Sequence, residues 1–149
     1  MVMDKSLIYN LYEQHKNGIF RYALSITKDH DLAEDALHNT FVKLLSGGVR
    51  CEEGKEQAWL YRIARNLCYD HLRKAKREQS YEENPAQSDG QFEYIELITS
   101  LSAEEQEIVT LKIVGGLTHK EIGSVLNITP GAAQKRYERA IASLRDKED

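Results

Sequence analysis

Few side chains in the 149-residue sequence are spaced for covalent chemistry. Glu34-Asp35 and Glu104-Glu105 are adjacent carboxylates, the raw material of acid–base catalysis or a divalent-cation site. Each pair falls in the first turn of an expected helix, where acids are favoured by the helix dipole, so a structural role is the stronger reading. His15, His30, His71 and His119 have no metal-ligand spacing, and His38 stands alone as a polar helix residue. Cys51 and Cys68 cannot build a disulfide framework and match no zinc pattern, which leaves a loop thiol and a packing thiol. No nucleophile has a base in sequence reach. The expectation is a protein that is not an enzyme and uses no metal or cofactor.

Two other constellations suit nucleic acid. Between Leu117 and Arg145 a capped helix, a short turn at Leu126-Asn-Ile128 and a longer helix opened by Thr129-Pro130 form a helix-turn-helix pattern. Gly123 lies where the two helices must approach closely. Gln134, Lys135, Arg136, Glu138 and Arg139 are expected on the outer face of the second helix, where amide and guanidinium groups meet base edges and phosphates. In the second constellation, between Gln57 and Arg77, Trp59, Tyr61 and Tyr69 alternate with arginines and Asn66. That mixture suits unstacked bases: rings stack, cations hold phosphates and amides read edges. Trp59 is expected in the core, whereas the place of Tyr61 is open.

Helices must position these groups. Apolar spacing predicts one helix from Ser6 to Thr27. A second begins near Asp31-Leu-Ala-Glu34, which reads as a capping box, and carries Ala33, Ala36, Leu37, Phe41, Leu44 and Leu45 to a stop at Gly47-Gly48. A third runs from about Lys55 to Arg77 with Trp59, Leu60, Ile63, Ala64 and Leu67 inward. Residues 79–91 carry proline, glycine, serine and acids without apolar periodicity and read as a flexible linker. Thirteen residues extend to roughly 43–47 Å, more than the ~34 Å of one duplex turn. Four short helices follow: one from Phe92 to about Leu101 with Ile95, Leu97 and Ile98, one opened by Ser102-Ala-Glu-Glu105 and running through Val109, Leu111 and Ile113, and the helix-turn-helix pair. The fold class is all-α, in two small helical domains: 1–78, a three-helix bundle, and 92–149.

A formal charge of −4 hides segregation. Residues 62–77 hold six basic side chains against Asp70 alone, residues 79–107 hold eight acidic and no basic ones, and residues from 108 onward hold seven basic and five acidic. Each half contributes few phosphate contacts, so the free chain is expected to bind DNA poorly. Apolar runs are too short to cross a bilayer and the N-terminus lacks a signal-peptide core, which points to the cytoplasm. No spare apolar helix is apparent for a dimer seam, so the free chain is expected to be monomeric.

Asp31 to Leu44, then Ala58-Trp-Leu-Tyr-Arg-Ile-Ala-Arg-Asn66 with Asp70 and Arg73-Lys74, then Leu101 to Gln106 and the helix-turn-helix, resemble in order a bacterial sigma-70 family factor. The resemblance is to the extracytoplasmic-function (ECF) group, which keeps only regions two and four, and it covers nearly the whole chain. It implies that Asp31, Glu34, Asp35, His38 and Asn39 dock on the β′ clamp of core RNA polymerase. It implies that Arg62, Arg65, Asn66, Tyr69, Arg73 and Lys74 read and melt the −10 promoter element. Gln134, Lys135, Arg136 and Arg139 would then read the −35 element, while the surface before the helix-turn-helix meets the β flap. Many such factors are held by an anti-sigma factor, a further partner the resemblance suggests. His38 stands where Gln is common, Gly123 where Ala is usual, and Pro130-Gly-Ala-Ala-Gln lacks the frequent Thr-Val pair. Two rival functions fit parts of the pattern: an autonomous helix-turn-helix regulator, and a sigma-like adaptor without promoter-opening activity.

Overall fold

A computed structural model of the chain describes residues 4–47, 54–78 and 97–148, and every regular element among them is helical. Three helices form the first half: α1 (Lys5–Thr27), α2 (His30–Leu45) and α3 (Glu56–Glu78). In the second half α4 (Ala103–Val109) runs into a π-helical turn (Thr110–Val114), followed by α5 (His119–Leu126) and α6 (Pro130–Glu148). The expected linker 79–91, the thiol Cys51, Gly48 and most of the helix expected from Phe92 lie outside the described residues. No helix among the described residues is long and apolar enough to cross a membrane.

Local chemistry sets the helix ends. The Asp4 carboxylate accepts the Leu7 N–H at 2.8 Å and opens α1. Lys28, in the left-handed conformation at φ 55°, closes it by donating its N–H to the Leu24 carbonyl at 2.9 Å. That reversal delivers Asp29, whose carboxylate accepts the Leu32 N–H at 3.0 Å and caps α2. The cap is therefore Asp29, not the expected Asp31, which sits inside the first turn. Gly47, at φ 74°, ends α2 where the sequence places a left-handed stop. Ser102 and Thr118 each form a reciprocal capping box, with Glu105 and Glu121. Asn127 is left-handed at φ 59°, and the Thr129 hydroxyl accepts the Ala132 N–H at 3.1 Å to open α6.

Packing departs from the sequence expectation in several places. Tyr61 is 1% exposed and belongs to the main apolar cluster, whereas Trp59 is only half-buried against it. Leu45, expected in the buried stripe of α2, is exposed, and so is Ile113. Ile113 turns outward because the helix widens at Thr110–Val114, and the added residue per turn shifts the register of the apolar stripe.

The largest difference concerns the two halves. Sequence composition suggests separately tethered modules, but in the structure they are packed together. Ile108, Leu111, Leu117 and Ile122 share one apolar cluster with Ile8, Ile19, Tyr22, Leu60 and Tyr61. α4 is apolar on both sides: Ile108 faces that cluster, while Val109 packs with Ile98, Leu101 and Ala140. Gln106 to Val109, four consecutive buried residues, need partners on each side of α4, and the first half supplies one. Tyr61 lies between two glycines. A Cβ on Gly18 would stand 2.2 Å from its Oη, and one on Gly115 would stand 3.2 Å from its Cζ. The Gln57 amide donates to the Gly115 carbonyl at 2.6 Å and closes the seam beside it.

Candidate nucleic-acid interface

The second helix of the helix-turn-helix presents its polar groups where the sequence places them, with one exception. Gln134, Lys135, Glu138 and Arg139 are exposed on α6, and the Gln134 amide donates to Glu138 at 3.1 Å. Arg136 is half-buried off that face and forms an ion pair with Glu104 of α4. Glycine is required at position 123, because a Cβ there would come within 2.5 Å of the Ile128 carbonyl oxygen. The turn thus lets α5 brace the start of α6 closely.

On α3 the candidates divide between two faces. Arg62, Asn66, Arg73 and Lys74 are exposed, and Arg73 pairs with Asp70 one turn away. Arg73, Lys76 and Arg77 line a shallow cavity of about 430 Å³ at the end of the helix. Arg65 and Tyr69, four residues apart, share a different stripe, which faces the second half of the chain. There the Glu107 carboxylate of α4 accepts from Arg65 Nε at 2.8 Å, Tyr69 Oη at 2.5 Å and Tyr22 Oη at 2.7 Å. The Arg65 guanidinium also lies over the Tyr69 ring, 4.8 Å from its centroid.

Electrostatics around Glu107 follow from burial. Loss of solvent, and then the Glu107 charge, raise the Tyr22 phenol well above its ordinary value. Burial followed by the Glu107 hydrogen bond raises Tyr69 in the same direction, so both phenols stay protonated donors. For Arg65, burial alone lowers the pKa, but the Glu107 hydrogen bond and charge outweigh it and the net shift is upward. Nothing in the sequence singled out Glu107 or Tyr22. The available signal was an acid inside the apolar run of α4.

On α2, Asp31, Glu34, Asp35 and His38 are exposed, and Asn39 is half-buried. Sequence reasoning missed Val42 and Leu45, which are 44% and 58% exposed. At steps of four, three, four and three, Asp31, Asp35, His38, Val42 and Leu45 form one stripe that is acidic at one end and apolar at the other. The stripe thus carries exposed apolar surface beside charged groups.

Other chemistry is sparse. His30, Asp31 and Glu34 bring ligand-capable atoms within 4.8 Å of one another, but His30 already faces both carboxylates, at 3.8 and 3.9 Å. Cys68 is fully buried, and burial pushes its thiol up to about 12, so it is held as an unreactive packing group.

Comparison with known proteins places this geometry in a family. Residues 11–78 match Sigma-70 region 2 and residues 91–144 match Sigma-70, region 4. Over 151 aligned positions the chain is 32% identical to the ECF RNA polymerase sigma factor SigM of Bacillus subtilis (strain 168), covering 93% of each protein. The chain belongs to the ECF group of the sigma-70 family. A sigma factor directs RNA polymerase to promoters, so its partners are that polymerase and promoter DNA. The fold is shared with the sigma factor RpoE, solved in complex with the anti-sigma factor NepR from Bartonella quintana, at a TM-score of 0.74 and 24% identity over 92% of this chain and 95% of that one. It is also shared with CnrH, solved in complex with the cytosolic domain of CnrY, at 0.74 and 21% identity over 98% and 90%.

Proposed function

We propose that this sigma factor divides promoter recognition between its halves, 1–78 and 92–149, with 79–91 as the connection. α3 reads and melts the −10 element through Arg62, Arg65, Asn66, Tyr69, Arg73 and Lys74. α6 reads the −35 element through Gln134, Lys135 and Arg139, and Arg136 joins them when it leaves Glu104. The α2 stripe of Asp31, Glu34, Asp35, His38 and Asn39, extended by Val42 and Leu45, docks on the β′ clamp of core polymerase, and the α4 side of the second half meets the β flap. The protein has no catalytic residue of its own, acts in the cytoplasm, and is a monomer when free. An anti-sigma factor is a further partner; the structural neighbour RpoE was solved with one.

The observation that carries this reading is the pairing of two outward cationic faces, on α3 and α6, with a separate acidic and apolar stripe on α2. The arrangement provides two DNA contacts and, on α2, a protein contact that does not overlap them. Transcription in vitro with core polymerase tests the assignment position by position. Arg62→Ala with Asn66→Ala should bind polymerase normally and fail to open promoters. Lys135→Ala with Arg139→Ala should lose dependence on the upstream element, and Asp35→Ala with Leu45→Ala should lose polymerase binding itself. Normal promoter opening by the first variant would remove the −10 assignment.

A further inference from the structure

Glu107 is 4% exposed and takes no part in the contacts proposed above. Its Oε1 accepts from Tyr22 Oη and Arg65 Nε, and its Oε2 accepts from Tyr69 Oη. All three donors belong to the first half, on α1 and α3, and the acceptor belongs to the second. Without Glu107 the first half would carry a guanidinium and two phenols converging on one point, a donor set that calls for an anion. The Arg65–Tyr69 stacking contact holds the guanidinium in place from the side.

A phosphodiester offers what the carboxylate offers: one negative charge shared by two oxygens. We propose that Tyr22, Arg65 and Tyr69 form a single anion site, filled by Glu107 while the halves are packed together and by a backbone phosphate of the unpaired promoter strand once they separate. The proposal rests on the reading of α3 as the −10 surface, and it adds Tyr22 and a mutually exclusive occupant. Its position fits that ligand. Arg65 and Tyr69 adjoin the exposed stripe of Arg62, Asn66 and Arg73, so a strand tracking that stripe passes the site. The packed form is built rather than incidental, because Tyr61 is seated between Gly18 and Gly115, and Gln57 bonds the Gly115 carbonyl. With Glu107 in place, the free chain's affinity for single-stranded DNA is reduced by the fraction of molecules that are open.

The test uses the full chain and a short, mixed-sequence single-stranded DNA oligonucleotide, titrated by fluorescence anisotropy, with small-angle X-ray scattering on the same samples. Glu107→Gln keeps the size and removes the charge. Hydrogen bonds to charged groups are strong enough that the open fraction, and with it the oligonucleotide affinity, should rise roughly tenfold or more. Asp146→Asn removes one exposed charge elsewhere and should change neither reading. Gln57→Ala weakens the seam without touching the site and should raise affinity several-fold, which keeps the test alive if the Glu107 variant does not fold. Adding Tyr22→Phe to Glu107→Gln should erase much of the gain, although Tyr22 is no part of the −10 set. The proposal is overturned if Glu107→Gln leaves affinity unchanged, whether or not the scattering expands, or if Tyr22→Phe leaves the gain intact. Failure of the −10 reading would appear separately, as normal promoter opening by the Arg62 and Asn66 variant.

Discussion

Replacing Gly18 should have opposite effects depending on one oxygen atom of Tyr61. Gly18 lies within α1, where alanine is ordinarily better than glycine by about 1 kcal/mol. A Cβ at that position would stand 2.2 Å from Tyr61 Oη but 3.5 Å from Cζ, so the overlap is with the hydroxyl alone. The ring has little room to retreat: it is 1% exposed, packs on Tyr22 at 5.6 Å between centroids, and is backed by Gly115. Overpacking of this kind costs about 1–3 kcal/mol, so Gly18→Ala should destabilise the native chain by up to ~2 kcal/mol after the helical gain. In a Tyr61→Phe background the hydroxyl is gone, and the same substitution should stabilise by about 1 kcal/mol. Urea denaturation of the four proteins measures the coupling, and thermal scans should show shifts of roughly 2–4 °C per kcal/mol. Effects of Gly18→Ala that agree within about 0.5 kcal/mol in the two backgrounds would refute the seating of Tyr61 against α1.

Exposed Lys135 and Arg139 should each contribute a phosphate contact in the holoenzyme, so alanine at either should lower the salt slope of binding to upstream-element duplex by about 0.9. Arg136→Ala should lower that slope by less than alanine at Lys135 or Arg139 does, and Glu104→Ala should raise affinity, because the pair holds Arg136 away from DNA; anisotropy titrations at several salt concentrations measure both. Thr118→Ala removes the cap of α5 and should cost about 1 kcal/mol in urea denaturation. Alkaline pH should weaken the fold, because Cys68 ionises near 9.0 when unfolded but keeps its proton to about 12 when folded. The associated stability is complete below pH 9 and is lost as pH rises toward 12, by about 1.4 kcal/mol per unit at most. Cys68→Ala should flatten the loss between pH 9 and 10, before the buried tyrosines add to it; stability measured across that interval decides.

Capping was legible because it is local. Ser102 with Glu105, Thr118 with Glu121, Asn127, and Thr129 before Pro130 carry their own hydrogen-bond partners within four residues. The cap of α2 was missed because Asp29 and Asp31 are equivalent in composition, and only the left-handed Lys28 decides between them. Widening at Thr110–Val114 has no residue signature, so the outward turn of Ile113 could not be read from a 3.6-residue period. The place of Tyr61 stayed open in the sequence because its pocket is made by Gly18 and Gly115, which are distant in sequence. Candidate site residues on exposed faces, such as Arg62, Asn66, Lys135 and Arg139, could be placed from helical spacing alone. Arg65, Tyr69 and Arg136 could not, because their partners Glu107 and Glu104 lie across contacts between elements. The same limit applies to the packing of the halves: Glu107 is one of eight acids between residues 79 and 107, and its burial in the seam follows from contacts distant in sequence.

The most direct measurement is run-off transcription from promoter templates by core RNA polymerase, with and without the purified chain. The account predicts new, discrete start sites only when the chain is present, and their loss when Arg62 and Asn66 are replaced by alanine. An unchanged start-site pattern, with folded protein and active core enzyme over the organism's promoters, would contradict it.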